Sequence, residues 1–123
     1  SIKALKENIS LNSVNNVYAS RMSDKETLEA LNQTRAYNRL RFIDLKLMSI
    51  MNIFLDPPRA GIDEETLFNL ASFKQIIYIS CGFNSLKNNL KVLTKTHKII
   101  HAALFDQFPY TDHIESGVVL IKK

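Results

Sequence analysis

One cysteine, three glycines and three prolines in 123 residues set the first limits on this chain. A single thiol, Cys81, can form no internal disulfide, so a reducing, cytoplasmic setting is expected. The glycines, Gly61, Gly82 and Gly117, stand far apart and form no phosphate-cradling loop. So little proline and glycine, with no low-complexity tract and no internal repeat, excludes fibrous, disordered and solenoid architectures. No apolar run approaches the roughly 20 residues that a helix needs to cross a bilayer. Ser1-Ile2-Lys3-Ala4-Leu5-Lys6 also lacks the apolar core of a signal peptide, so no membrane partner is expected. His97 and His101 have no cysteine or acid at ligand spacing, and no metal is assigned.

What is present describes a soluble globular protein: 46% apolar and 23% charged residues. A chain of this length makes one domain and buries roughly two-thirds of its unfolded surface. The net charge of +4 and pI near 9.3 lean toward a polyanionic partner.

Along the chain the apolar period switches repeatedly between helical and strand-like. Ile2, Leu5 and Ile9, with Leu11, mark one face of a helix expected to begin before Ser1. With no initiating Met and no cap, the chain reads as the later part of a larger protein. After the break at Asn15-Asn16, Val17-Tyr18-Ala19 reads as a short strand. Ser23 and Glu26 form a capping box that starts a helix through Leu31. From Asn32 to Arg41 the chain is polar and basic, with Arg35, Arg39 and Arg41 interleaved with Tyr37 and Phe42. Such a stretch reads first as a solvated loop that tucks one or two aromatics into the core, with a phosphate grip and a stacked base as the alternative.

Ile50–Leu55 is a buried-strand run, stopped by Asp56-Pro57-Pro58-Arg59-Ala60-Gly61 because prolines supply no ladder donors. Asp63 caps a helix through Phe73, with Ile62 placed to staple against Leu67. Strands are predicted at Gln75–Ser80, Lys98–Phe105 and Gly117–Ile121, and a helix at Asn84–Thr94. This alternation predicts an α/β fold with a mostly parallel sheet covered on both faces. The last two strands are joined by about ten residues without a helix, too few for a parallel crossover, so the final strand pairs antiparallel.

In such a sheet ligands bind outside the carboxyl ends of the strands. Asp56 and Cys81 end two consecutive strands, and Glu115, just before the final strand, returns to the same edge. Each has a plain alternative: a turn former at Asp56, a small buried hydrophobe at Cys81, an exposed acid at Glu115. Phe105, Phe108 and Tyr110 either support a site or stack on a ligand, and His113 either moves protons or sits idle at the surface.

In order along the chain, Asp56-Pro57-Pro58-Arg59-Ala60-Gly61, Tyr78-Ile79-Ser80-Cys81 and the stretch from Ala103 to Val118 closely resemble the C-terminal catalytic segment of tRNA uracil-5-methyltransferases. That group belongs to the RNA 5-methyluridine methyltransferase family. Tyr37-Asn38-Arg39-Leu40 and Ile43-Asp44-Leu45-Lys46 extend the resemblance over nearly the whole chain. It implies a Rossmann-like, S-adenosylmethionine-dependent fold, N-terminally truncated, with residues 1–123 as the C-terminal portion of the catalytic domain. S-adenosylmethionine is the implied cofactor and tRNA the implied partner. By the same resemblance Cys81 is the nucleophile that adds to uracil carbon 6, and Glu115 the base that takes the carbon 5 proton. Asp56 is implied in binding cofactor and target base, and Arg59, Phe105 and Gln107 in binding substrate.

The family usually follows its cysteine with asparagine and proline, whereas this chain has Gly82-Phe83-Asn84. The change is expected to loosen the turn and add bulk. The glycine-rich turn and ribose-binding acid of the cofactor site, and the RNA-recruiting N-terminal domain, are missing from the sequence. Two missing sheet strands would expose an edge, so self-association or a loosely packed N-terminal third is expected. Two rivals remain. A non-catalytic RNA-binding remnant fits the basic segment, while a cysteine phosphatase needs an arginine six residues after the thiol, where Lys87 stands.

Overall fold

Helix boundaries fall where side chains satisfy the free backbone groups at helix ends. In the computed structural model, which describes all 123 residues, two compact units emerge: Ser1–Met48 and Ser49–Lys123. In the first, α1 spans Ile2–Leu11 and α2 spans Asp24–Leu31. The capping box opens α2 as expected: Ser23 Oγ accepts from the Glu26 amide at 3.2 Å, and Glu26 Oε2 accepts from the Ser23 amide at 3.0 Å. The helix closes with Gln33 at φ 57°, letting the Gln33 and Thr34 amides reach back to the carbonyls of Ala30 and Glu29. No residue of α1 is buried, whereas α2 buries Leu28 and Ala30. Two 3-10 turns follow, at Asn38–Leu40 and Leu45–Leu47.

Val17-Tyr18-Ala19 is not a strand. Extended backbone becomes a strand only beside a partner, and the single sheet is built from residues beyond Met51. Val17 and Tyr18 are exposed instead.

The second unit runs β1 (Asn52–Leu55), α3 (Glu64–Asn69), β2 (Gln75–Ser80), α4 (Phe83–Leu93), β3 (His97–Phe105) and β4 (Glu115–Lys122). A 3-10 turn, Leu70–Ser72, continues α3 to the expected end near Phe73. The strands lie in the order β1-β2-β4-β3, with β1 parallel to β2 and β4 antiparallel to both of its neighbours. Three strands therefore share one direction, and the antiparallel β4 is inserted between the second and third.

Alternation along β2 sends Ile76, Tyr78 and Ser80 into the core, together with their β4 partners Leu120, Val118 and Ser116. Leu67, Leu70, Leu86 and Leu93 complete this core from the helical side. Asn89 of α4 binds the layers together. Its Oδ1 accepts from the Ile62 amide at 3.0 Å and the Tyr78 hydroxyl at 2.7 Å, and its Nδ2 donates to the Ile62 carbonyl at 2.9 Å. Buried His97 is satisfied in the same way, its Nε2 lying 2.9 Å from the Phe73 carbonyl.

The second unit does not by itself supply the expected cover on both faces. Phe54, at 64% exposure, and Phe105, at 42%, lie on the face opposite this core. Both helices of the second unit contribute to one side, because the crossovers β1-α3-β2 and β2-α4-β3 share a hand and advance the same way across the sheet.

Candidate active site

The strand register brings three distant segments to one rim. Leu55 pairs with Tyr78, Ser80 with Ser116, and Phe105 with Glu115. Ser80 and Ser116 face the helices, so by alternation Glu115, the next residue outward on β4, belongs to the opposite face with Ile79 and Gly117, while Cys81 follows directly on the end of β2. A cleft of about 380 Å³ opens there, lined by Asp56, Ile79, Phe105, Gln107 and Glu115. Four of the residues singled out from sequence thus share one wall. Cys81 is half-buried and is not among the lining residues.

Gly117 shapes this wall by having no side chain. A Cβ there would lie 3.0 Å from the Phe105 ring and 3.1 Å from Ile79 Cδ1, so glycine lets both close over β4.

The turn after β1 is locked to the turn after β2. The Gly61 amide donates to the Pro58 carbonyl at 2.8 Å, with Gly61 at φ 79°, a conformation that favours glycine. Ser85 Oγ, in the first turn of α4, donates to the Arg59 carbonyl at 2.8 Å. Ser80 Oγ accepts from the Gly82 amide at 3.1 Å. A Cβ on Gly82 would stand 2.6 Å from both the Arg59 carbonyl oxygen and Ser85 Oγ. Gly82 therefore does not loosen the turn, as expected from sequence; it admits the carbonyl that fixes Cys81 between two anchored neighbours. The bulk of Phe83 does not enter the cleft either, since its ring is 62% exposed and is not among the lining residues.

Arg59 also stays outside the cleft lining. Its Nη2 lies 3.2 Å from His113 Nδ1 and 3.4 Å from Nε2, and the Phe108 ring meets His113 edge-on at 6.4 Å. The β3–β4 connection that carries Gln107 is in this way tied to the turn that carries Asp56. Sequence reasoning named Arg59 and His113 separately but not their contact, and it gave no role to the hydroxyls of Ser80 and Ser85. Serines flanking a glycine at a strand-to-helix turn were the available signal, because such hydroxyls cap free backbone groups. No group of three histidine, cysteine, aspartate or glutamate side chains is arranged to hold a metal ion.

The family model for tRNA (Uracil-5-)-methyltransferase matches residues 1–123. The tRNA/tmRNA (uracil-C(5))-methyltransferase of Mannheimia succiniciproducens is 53% identical over the whole chain, which covers 34% of that protein. Its counterpart in Saccharophagus degradans is 51% identical, again with 34% of the relative covered. The chain thus spans about a third of the length of the curated relatives it matches. Among solved structures, Pyrococcus abyssi tRNA (uracil-54, C5)-methyltransferase in complex with S-adenosyl-L-homocysteine superposes with a TM-score of 0.72 at 23% identity. That match covers 98% of this chain and 26% of the other, and the likeness is one of fold.

Proposed function

We propose, because the chain belongs to the tRNA (uracil-5-)-methyltransferase family, that it forms the C-terminal part of a catalytic domain methylating carbon 5 of a uridine in tRNA. The observation that supports this reading is the shared rim, where Asp56, Phe105, Gln107 and Glu115 line one cleft and the β2–β4 register ends at Ser80 and Ser116, the neighbours in sequence of Cys81 and Glu115.

Carbon 5 of uracil is a weak nucleophile. The Cys81 thiolate adds to carbon 6, forming a C–S bond, and the ring electrons move to an enolate that makes carbon 5 reactive. S-adenosylmethionine supplies the methyl group on a sulfonium centre. Carboxylates at Asp56 and Glu115 beside the Phe105 ring fit that cation, and Asp56 would hold it. Once the carbon 5–methyl bond has formed, the Glu115 carboxylate takes the proton still on carbon 5. The double bond re-forms, the C–S bond breaks and Cys81 departs as thiolate. Arg59 and His113 keep the two loops of the cleft at a fixed separation throughout.

The full-length protein that carries this segment is the proper test, with RNA containing 5-fluorouridine, whose fluorine no base can remove as a proton. A protein–RNA adduct stable to denaturation is expected, and Cys81→Ser should abolish it. Glu115→Gln should slow turnover of ordinary RNA by about 10²–10⁴-fold while adduct still forms. Full methylation by Cys81→Ser would end the covalent reading. Salt-dependent RNA binding with no adduct under any condition would replace it with a binding remnant. Residues 1–123 alone are expected to bind S-adenosylmethionine weakly, and tight calorimetric binding would overturn that expectation.

A further inference from the structure

The first unit contains a second cavity, of about 420 Å³, lined by Arg35, Tyr37, Arg41, Asp44 and Lys46 among others. The bland account of such a loop is a solvated charge run. Against it stands the way the charges are used. Arg39 is consumed internally, bonded to Glu26 at 2.6 Å and to the Arg21 carbonyl. The Tyr37 hydroxyl is pinned to the Glu29 carboxylate of α2. These ties hold the loop to its helix.

Arg35, Arg41 and Lys46 are exposed and form no ion pair. The one carboxylate in the lining, Asp44, turns back to accept from the Lys46 amide at 3.1 Å. The free cations are nevertheless ordered. Arg35 lies over the Tyr37 ring at 5.2 Å, and Arg41 over Phe42 at 4.6 Å. Phe42, next to them, is 79% exposed and lines an adjoining hollow. Guanidinium groups fixed by aromatic faces lose less entropy on gripping a phosphate than free side chains do. An exposed ring beside them offers a stacking face to any unpaired base.

We propose that the loop from Gln33 to Lys46 is a grip for single-stranded RNA, with Arg35, Arg41 and Lys46 on successive phosphates and Phe42 beneath a base. The choice of RNA as the polyanion rests on the function proposed above. The location rests on this geometry alone, so the two can fail separately.

The test uses the 123-residue chain and a fluorescent single-stranded oligouridylate, with the dissociation constant followed across salt concentration. The triple variant R35Q/R41Q/K46Q should flatten the slope of log affinity against log salt by about 0.7 for each cation lost, about 2 in all. Phe42→Ala should weaken binding about fivefold or more and leave the slope unchanged. A control triple on α4 and its end, K87Q/K91Q/K95Q, removes the same net charge elsewhere. Equal flattening by both triples would overturn the site, leaving only a general charge effect. A wild-type slope in the first triple, with its helical circular dichroism intact, would also overturn it. The salt slope is a binding readout that needs no methyl transfer, so failure of the methylation chemistry leaves this result readable.

Discussion

Residues 1–48 bury two apolar side chains, Leu28 and Ala30, whereas residues 49–123 bury ten, on the sheet and on the segments that cover it. The first unit is held by local devices: a capping box, a left-handed helix exit at Gln33, and polar ties from Tyr37 and Arg39 to α2. The second is held by strand pairing over a core. Local devices fix where elements begin and end, but each contributes only about 1 kcal/mol. Burial accumulates, so the two units should differ widely in stability although they share one chain.

Hydrogen exchange is the most direct way to break this comparison. Amides of β2 and β4 should exchange on the order of a thousandfold more slowly than those of α1. Equal protection throughout Ser1–Leu31 would show that the first unit has support beyond its own contacts. Next in size is Asn89→Leu, which strands the Ile62 amide, the Ile62 carbonyl and the Tyr78 hydroxyl. It should cost the second unit about 3 kcal/mol or more, read from the urea midpoint of the sheet transition. Gly82→Ala should cost about 1–3 kcal/mol by forcing the Arg59 carbonyl away, and in the full-length protein should slow adduct formation. A variant as stable and as fast as wild type would refute the clamp at Cys81.

Titration by pH separates the units further. The Ser23 amide, then Arg39, hold the Glu26 carboxyl below its ordinary 4.5, and bonds from Thr66 hold Asp63 below 3.8. Both are depressed in the fold, so their contributions are complete above those ordinary values. They are lost as pH falls through the lower folded ones, in both units. At the alkaline end the sign reverses. Burial pushes Tyr78 from 10.0 up to about 12, so its contribution is present below 10 and lost as pH rises toward 12. The sheet should therefore weaken above pH 10, with exchange probes in α2 blind to that step. The smallest effect sharpens the core itself. Ser116 Oγ is buried without a hydrogen-bond partner, and Ser116→Ala should raise stability by about 1 kcal/mol in thermal unfolding.

Much of this was legible in one dimension. The caps at Ser23 and Asp63 act within four residues, and both helices begin where those side chains predict. The runs at Gln75–Ser80 and Lys98–Phe105 carried enough apolar and β-branched character to be placed within a residue. Val17-Tyr18-Ala19 misled because the same local character has no meaning without a neighbouring strand. Gly82 misled for a related reason: its smallness answers to a carbonyl 23 residues earlier, which no local pattern reveals.

The amino-acid order by itself determined where helices start, where strands stop and which residue types end those strands, because capping, proline exclusion and alternation operate over a few bonds. Only the tertiary structure decided that both helices of the second unit pack on one sheet face, that Arg59 is engaged by His113, and that Asp56, Phe105, Gln107 and Glu115 line one cleft. Those outcomes depend on strand register and on crossover handedness, which join groups far apart in the chain and are fixed only when the whole sheet assembles.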